Sequence, residues 1–277
     1  MATETLAAAV PVPGDQEPVV IFDDVSIGFE GKPVLKNISF RVAVGETRIL
    51  LGPAGVGKSV LLKLANGLFR PDSGRITVFG QEVSSMPEGD LFGLRSRIGM
   101  VFQESALFDS LTVRDNVAFR LMEDKVPESE INDRVAEALR FVELEHTMQM
   151  FPAQLSGGMR RRVAIARAIV AKPDLLLYDS PTGGLDPITS TTIVELVVKE
   201  RDLYHTSSLL VTHRLQDAYT LATHTFNKAE NHMERSSGDK TNLHTSFLML
   251  REGELIFDGS THELVTSDDP FIKEYLT

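Results

Sequence analysis

The sequence predicts an α/β fold with a mainly parallel sheet that gathers polar residues at one edge. The first observation is an apolar strand at 47–51 that runs into a Gly-rich loop at 52–59 and then into a helix-like segment at 60–65. The second is a pair of apolar runs, at 172–179 and 208–213, that each close on a polar residue. In open α/β sheets, ligands gather at the carboxyl ends of such strands, so we expect one ligand site there.

The loop at 52–59 reads Gly-Pro-Ala-Gly-Val-Gly-Lys-Ser and fits the phosphate-loop pattern in its required strand–loop–helix context. Its glycines let successive N–H groups point at one spot, and the following helix adds its partial positive end. Lys58 should reach the outer phosphates of a nucleotide, and the Ser59 hydroxyl should bind Mg²⁺. The predicted nucleotide contacts in this loop are Gly52, Pro53, Ala54, Gly55, Val56, Gly57, Lys58 and Ser59.

Composition excludes several classes of function. The 277 residues, 42% of them hydrophobic, allow one large or two ordinary domains. A net charge of −11 argues against nucleic acid as a partner. No apolar run is long enough to span a bilayer and the N-terminus lacks a basic signal region, so we expect a soluble chain that stays inside the cell. The absence of cysteine excludes disulfides and thiolate metal sites.

The N-terminal third begins with a polar, Ala- and Pro-rich segment at 1–17, which we interpret as a mobile tail. Alternating segments at 19–29 and 34–44 predict antiparallel strands, and a further strand is expected at 75–79 after the phosphate-loop helix. Phe29 closes the first strand, where its ring can stack on a nucleotide base. A buried core phenylalanine fits the same pattern.

The middle of the chain is mainly helical. A short strand at 98–103 ends in Gln103, which is suited to touch Mg²⁺ or the attacking water, although a lone Gln there is ordinarily a cap or a surface residue. Helix signals follow within 104–168, including an apolar face along 129–144. Ser156 then caps a helix that starts with Gly157 and Gly158, and small residues with free N–H groups at a helix start make a second anion site. Taken by itself, the segment is better explained as a plain capped helix.

The last third supplies two more candidates. The run at 172–179 ends in Asp179, the form of the second Mg²⁺-binding motif of phosphate-loop nucleotidases. His213 stands at the end of the next apolar strand, so both residues fall at the edge of the sheet where Gln103 also lies. The predicted metal ligands are Ser59, Gln103 and Asp179.

The remainder of the chain is predicted to be peripheral to this site. We expect a polar surface loop or hairpin at 226–246, a hairpin at 247–257 and a C-terminal helix at 269–276. Three histidines near that insertion lack a regular ligand spacing, which favours a surface role over a metal site. They are His224, His232 and His244.

Taken in order, these motifs resemble the series of an ABC transporter ATPase subunit over residues 19–276. The series consists of the phosphate loop, Gln103, Leu-Ser-Gly-Gly-Met at 155–159, Asp179, Gly-Leu-Asp at 184–186 and His213. More narrowly, the segment at 106–119 and Met159 resemble the ATPases of Mce-type lipid transport systems, among them the Mla phospholipid system. The resemblance implies ATP hydrolysis that drives lipid movement through a membrane permease, with ATP and Mg²⁺ bound.

The resemblance also implies a RecA-like core with an antiparallel β subdomain and an inserted helical subdomain. It implies that two copies pair head to tail, so that Ser156, Gly157 and Gly158 of one complete the site around Lys58 of the other. The other partners implied are an integral membrane permease and, indirectly, an Mce-type substrate-binding protein, with the chain peripheral at the cytoplasmic face of the inner membrane. The predicted divisions are 1–17 (tail), 18–103 (core with β subdomain), 104–168 (helical subdomain) and 169–277 (second part of the core).

Two positions depart from the family pattern. The family usually places Glu after the strand-ending Asp as the base that polarises water, and this chain has Ser180, which has no basic form near neutral pH. Either hydrolysis is slow, or His213 and Gln103 hold the attacking water in place of the missing glutamate. Phe29 stands where Tyr is commoner. The alternatives are a nucleotide-gated subunit with weak or no hydrolysis, and a soluble ATPase of this kind that works without a permease.

Overall fold

The computed structural model describes residues 17–236 and 244–277, which form three layers. A six-stranded sheet lies in the middle, long helices cover one face, and a four-stranded antiparallel sheet with the first helix covers the other. The tail predicted at 1–17 lies, except for Glu17, outside the described residues.

The described elements have the following bounds. The strands are β1 (Val20–Phe29), β2 (Lys32–Val42), β3 (Thr47–Leu51), β4 (Ser73–Val78), β5 (Gln81–Glu82), β6 (Ile98–Val101), β7 (Leu175–Asp179), β8 (Ser207–Val211), β9 (His224–Asn227), β10 (His232–Arg235), β11 (Thr245–Arg251) and β12 (Glu254–Ser260). The α-helices are α1 (Lys58–Ala65), α2 (Glu88–Arg95), α3 (Val113–Glu123), α4 (Glu128–Phe141), α5 (Gly157–Ile169), α6 (Pro187–Tyr204), α7 (Leu215–Thr223), α8 (Thr261–Val265) and α9 (Pro270–Leu276).

The central sheet has the order β12-β11-β3-β8-β7-β6, with every pair parallel except β11 and β12. All five residues of β3, of β7 and of β8 are buried, as expected for parallel strands covered on both faces. The register pairs Asp179 with Val211, so the carboxyl ends of β7 and β8 meet at one edge. This confirms the predicted α/β class and the shared edge.

Alternation along the strands divides the core into two clusters. Ile49, Leu51 and Tyr178 point toward the layer of long helices, whereas Leu50 and Leu177 point toward α1 and the antiparallel sheet. That outer sheet has the order β2-β1-β4-β5. Since successive strand residues face opposite sides, one apolar run serves both cores.

The helices between β6 and β7 begin where their sequence signals indicate. The Thr112 side chain accepts a hydrogen bond from the Asp115 backbone N–H at the start of α3. Helix α4 buries the predicted apolar face, and Ser156 caps α5 by accepting from the Met159 N–H. The subdomain boundaries at residues 103 and 168 stay a prediction.

Several boundaries differ from the predicted ones. The strand expected at 75–79 already begins at Ser73, because it pairs with β1 as far as Ser26. The polar insertion expected at 226–246 forms the hairpin β9–β10, its last residues already belong to β11, and residues 237–243 lie outside the described part. Patterns in the sequence did not predict α2, α7 and α8. Within the described residues, no helix is long and apolar enough to cross a membrane.

Candidate nucleotide-binding site

The phosphate loop joins the end of β3 to the start of α1, and its glycines are required by its shape. Gly52, Gly55 and Gly57 have φ angles of 142°, 76° and 104°. A β-carbon on Gly57 would lie 2.7 Å from a methyl group of Leu35, and one on Gly52 would lie 2.5 Å from the Leu250 carbonyl oxygen. Gly55 is exposed with open space around it, so the loop has a packed inner side and an open outer side.

Lys58 lies buried inside this loop. Its Nζ donates to the carbonyl oxygens of Gly52 at 2.7 Å and Pro53 at 2.6 Å. Burial lowers the pKa of Lys58, and the negative charge of Asp179 partly opposes that change. A phosphate can draw this ammonium from two neutral carbonyls, since a charge-assisted hydrogen bond is stronger than one to a neutral acceptor.

Ser59 and Asp179 form the second part of the site. The Ser59 Oγ donates to Asp179 Oδ1 at 2.8 Å, which joins the first turn of α1 to the end of β7. Asp179 is buried, so its carboxylate is fixed behind the loop. A hydroxyl and a carboxylate are oxygen ligands of the kind that Mg²⁺ prefers, and the pair therefore fits the metal predicted for it.

Gln103, the third predicted metal ligand, lies exposed beyond the end of β6. Its Cγ is 3.6 Å from the point where a β-carbon on Gly183 would lie, which places it beside the turn that follows β7. His213 is also exposed, two residues after Val211, the partner of Asp179 in the sheet. The structure thus joins Ser59 and Asp179 directly, and it leaves Gln103 and His213 at the same edge as side chains accessible to solvent.

Ser180 follows Asp179 in a left-handed conformation, with φ of 47°. Its N–H donates to the Val211 carbonyl at 2.9 Å, and its own carbonyl accepts from the Gly183 N–H at 2.9 Å. The residue is buried, so its backbone is fixed while its hydroxyl supplies no base. The departure from the family pattern at this position therefore leaves the strand end without a second carboxylate.

Arg161 is a site residue that the sequence did not reveal. Its buried guanidinium donates to three backbone carbonyls, of Phe102 at 3.3 Å, Ser180 at 3.2 Å and Gly183 at 3.2 Å. Burial lowers the pKa of Arg161, against the opposing charges of Glu104 and Asp179. In sequence it stands in a run of three arginines that typically indicates a solvated helix face, and only the packing of α5 against β6 and β7 distinguishes it.

Phe29 is accessible at the end of β1. The residue is 41% exposed, and its ring meets the Phe69 ring edge-on at a centroid distance of 5.3 Å. The neighbouring β2 residues contact the loop, since a β-carbon on Gly57 would meet both Val34 and Leu35. The accessible ring agrees with stacking on a base better than with the alternative of a buried core residue.

The segment predicted to form a second anion site is the start of α5. The segment is packed closely, because a β-carbon on Gly158 would lie 2.4 Å from Thr189 on α6. Ser156, Gly158 and Met159 line a cavity with α6 residues, and no residue of the loop at 52–59 lines it. The cavity at the start of α5 therefore does not include the phosphate loop of the same chain, which agrees with the head-to-tail pairing implied by the resemblance.

The chain matches known proteins along most of its length. A family model described as "ABC transporter" matches residues 35–183. The chain is 37% identical over 273 residues to the Arabidopsis thaliana protein TRIGALACTOSYLDIACYLGLYCEROL 3, chloroplastic, covering 95% of this chain and 74% of that protein. It is 42% identical over 201 residues to a methionine import ATP-binding protein, MetN 2, of Bacillus cereus, covering 71% of this chain and 59% of that one. It is 34% identical over 249 residues to the probable ribonucleotide transport ATP-binding protein mkl of Mycobacterium leprae, covering 90% and 65%.

Two solved structures share the fold. The cassette MJ0796, solved as a dimer in a post-hydrolysis state bound to ADP and Pi, matches with a TM-score of 0.72 and 27% identity over 87% of this chain and 98% of that one. The protein cbiO1 from Clostridium perfringens matches with a TM-score of 0.76 and 28% identity, over 94% and 96%. The chain spans between 59% and 74% of the three curated relatives above, so it corresponds to part of their length.

Proposed function

The chain belongs to the ABC transporter ATP-binding family, and from that premise we propose that it is the ATPase subunit of an Mce-type lipid transport system. ATP hydrolysis coupled to transport is the general activity of the family. The names of the three relatives mention different compounds, which are methionine, a ribonucleotide and trigalactosyldiacylglycerol. The lipid assignment is supported by the relative that matches along 95% of the chain, and by the motif resemblance at 106–119.

In the proposed reaction, Lys58 leaves its two carbonyl acceptors for the β- and γ-phosphates of ATP, and Phe29 stacks on the base. Mg²⁺ held by Ser59 and Asp179 would neutralise charge on those phosphates. The Leu-Ser-Gly-Gly-Met segment at 155–159 of a second copy then completes the site around Lys58 of the first copy. Because ATP bridges both copies only in the closed pair, its binding favours closure and its hydrolysis favours opening.

The attacking water needs an acceptor for its proton, and Ser180 does not supply one. His213 and Gln103 are accessible polar side chains at the same edge of the sheet. Two alternatives follow: either these side chains hold the water, with the His213 ring as proton acceptor, or hydrolysis is slow. Arg161 fixes the carbonyls of Ser180 and Gly183, which keeps this edge in place when the partner copy docks.

The observation that carries a permease-coupled function is an exposed aromatic cluster that includes Phe108, five residues after Gln103 in the chain. Phe92 on α2 and Phe108 and Phe119 near α3 are 54%, 43% and 39% exposed. The rings of Phe108 and Phe119 lie 4.7 Å apart, and the Arg120 guanidinium lies 5.0 Å from the Phe92 ring centroid. Clustered exposed apolar side chains mark interaction sites, and the apolar face of an amphipathic permease helix is the partner that we propose for this cluster.

A physical connection runs from this surface to the nucleotide site. The Arg167 guanidinium holds the carbonyls of Ser105 at 2.8 Å and Ala106 at 2.6 Å, just after Gln103. A helix docked against Phe108 therefore bears on the short segment that carries Gln103. Permease movement and the position of Gln103 are thereby coupled through residues 103–108.

The second candidate function is a nucleotide-gated subunit that binds ATP but hydrolyses it weakly. The presence of Ser180 at the position of the usual base favours it. It differs from the first candidate in one measurable property, the turnover of the permease-bound chain.

The proposal is tested by expressing the chain together with an Mce-type permease and reconstituting the complex in phospholipid vesicles. We expect ATP-dependent transfer of a fluorescent phospholipid, and we expect Phe119→Ala to reduce permease retention about tenfold through loss of a buried aromatic contact. Tyr204→Ala, which removes an exposed ring on α6, serves as the control and should retain the permease. Stimulation of ATP turnover by methionine or a ribonucleotide, without phospholipid transfer, would show that the lipid assignment is wrong.

A further inference from the structure

The C-terminal helix α9 makes a direct contact with the phosphate loop. The Gly52 N–H donates to the Tyr275 hydroxyl at 3.2 Å, and that hydroxyl donates to the Gly52 carbonyl at 3.2 Å. The two residues lie 223 positions apart, and Tyr275 falls outside the family match at 35–183. No motif in the sequence accounts for this contact.

Helix α9 is held firmly enough to position this hydroxyl. Asp269 caps the helix by accepting from the N–H groups of Phe271 at 2.8 Å and Ile272 at 3.2 Å. Ile272 is buried, and the Arg251 guanidinium lies 4.7 Å from the Phe271 ring centroid. Burial raises the pKa of Tyr275, so its hydroxyl keeps its proton at neutral pH and can donate.

Among the described residues, the Gly52 carbonyl has two side-chain donors, Lys58 Nζ at 2.7 Å and the Tyr275 hydroxyl at 3.2 Å. When a nucleotide draws Lys58 to its phosphates, one of these donors leaves. Gly52 is buried, and a buried carbonyl without a donor costs free energy. The remaining donor is then Tyr275.

We propose that Tyr275 is a positioning residue of the nucleotide site, whose hydroxyl satisfies the Gly52 carbonyl once Lys58 has moved to the phosphates. By this contact the C-terminal helix sets the affinity for ATP. The inference concerns nucleotide binding alone and is independent of the transported substrate, so it stands or falls separately from the lipid assignment.

The proposal makes a differential prediction for Tyr275→Phe. In the free chain, Lys58 still donates to the Gly52 carbonyl, so this carbonyl loses one of two donors. In the ATP-bound chain it loses the one donor that the described residues still offer it, and the penalty therefore falls on the bound state. AMP lacks the outer phosphates that draw Lys58, and its binding should escape the penalty.

The experiment measures Mg-ATP, ADP and AMP affinities of the full chain by calorimetry. We expect Tyr275→Phe to weaken ATP and ADP binding about five- to tenfold and to leave AMP binding within about twofold. The matched control is Tyr204→Phe, which removes a hydroxyl that makes no hydrogen bond in the described part of the chain and should change none of the three affinities.

A second measurement tests the coupling to Lys58. In a Lys58→Ala background the Gly52 carbonyl lacks the lysine donor in both states, so adding Tyr275→Phe should change ATP affinity less than about twofold. Unchanged ATP affinity in the single variant overturns the proposal. So does an equal loss for ATP and AMP, or full additivity in the double variant, because each would reduce Tyr275 to a general structural contact.

Discussion

Replacing Ser180 by glutamate should accelerate ATP hydrolysis, because Ser180 supplies no carboxylate at the position after Asp179, where the family usually has its base. The substitution leaves the local backbone intact, since the contacts of Ser180 with Val211, Gly183 and Arg161 all use its N–H and carbonyl. Its side chain begins at the edge of the sheet where Gln103 and His213 lie. A carboxylate there can reach the water that attacks the γ-phosphate.

The size of the effect follows from the role of the new side chain. A positioned general base contributes ~10² to 10⁴ in rate. Ser180 is buried, so the longer glutamate side chain has to displace its neighbours and keeps only part of this gain. We therefore expect an increase of about 10- to 100-fold in kcat.

The assay is steady-state ATP turnover of the chain in complex with its permease. The control is Ser180→Gln, because glutamine matches glutamate in size but has no basic form. This variant should keep the wild-type rate. If Ser180→Glu changes little while His213→Ala abolishes turnover, then His213 and Gln103 already hold the water. A wild-type rate in the ~1 to 10 s⁻¹ range ordinary for enzymes, with Ser180→Glu and His213→Ala both silent, would refute the assignment of the chemistry.

Two further outcomes concern pairing and stability. Ser156→Arg should abolish Mg-ATP-dependent pairing seen by light scattering, because a bulky side chain fills the interface; dimers of equal size without nucleotide would contradict the shared site. Burial raises the pKa of Glu200 from 4.5 to about 7, although Thr206 donates to it at 2.7 Å. Between pH 4.5 and 7 the unfolded chain has lost this proton while the folded chain still holds it. The free energy of unfolding should therefore fall by about 3 kcal/mol over this range and level off above pH 7. Glu200→Gln should remove that fall in urea unfolding at about pH 5 and 8; an unchanged pH dependence would show that Glu200 is not its source.

The parts of the site that the sequence predicted are those with local signals. The loop at 52–59 is recognisable because its glycines and its lysine lie directly between the flanking strand and helix, at 47–65. Asp179 could be predicted because a fully buried strand has a continuous apolar pattern that ends at a carboxylate. Ser156 could be predicted as a helix cap because a serine stands directly before a helical segment, and it accepts the hydrogen bond expected of a cap.

The parts that the sequence did not predict depend on contacts between distant segments. Arg161 acquires its role only when α5 packs beside β6 and β7, and Tyr275 only when α9 reaches the end of β3. The short helices α7 and α8 carry too few turns for a periodic pattern to separate them from loops. Their positions are set by the sheet that they cover.

The central claim is that the loop at 52–59 binds ATP through Lys58, and calorimetry of the wild-type chain and Lys58→Ala with Mg-ATP tests it most directly. Lys172→Ala, a surface lysine before β7, is the control. The account predicts that Lys58→Ala weakens ATP binding at least about tenfold, the size of a charge-assisted hydrogen bond, while the control binds as wild type. Equal ATP affinity in Lys58→Ala and the wild-type chain would contradict it.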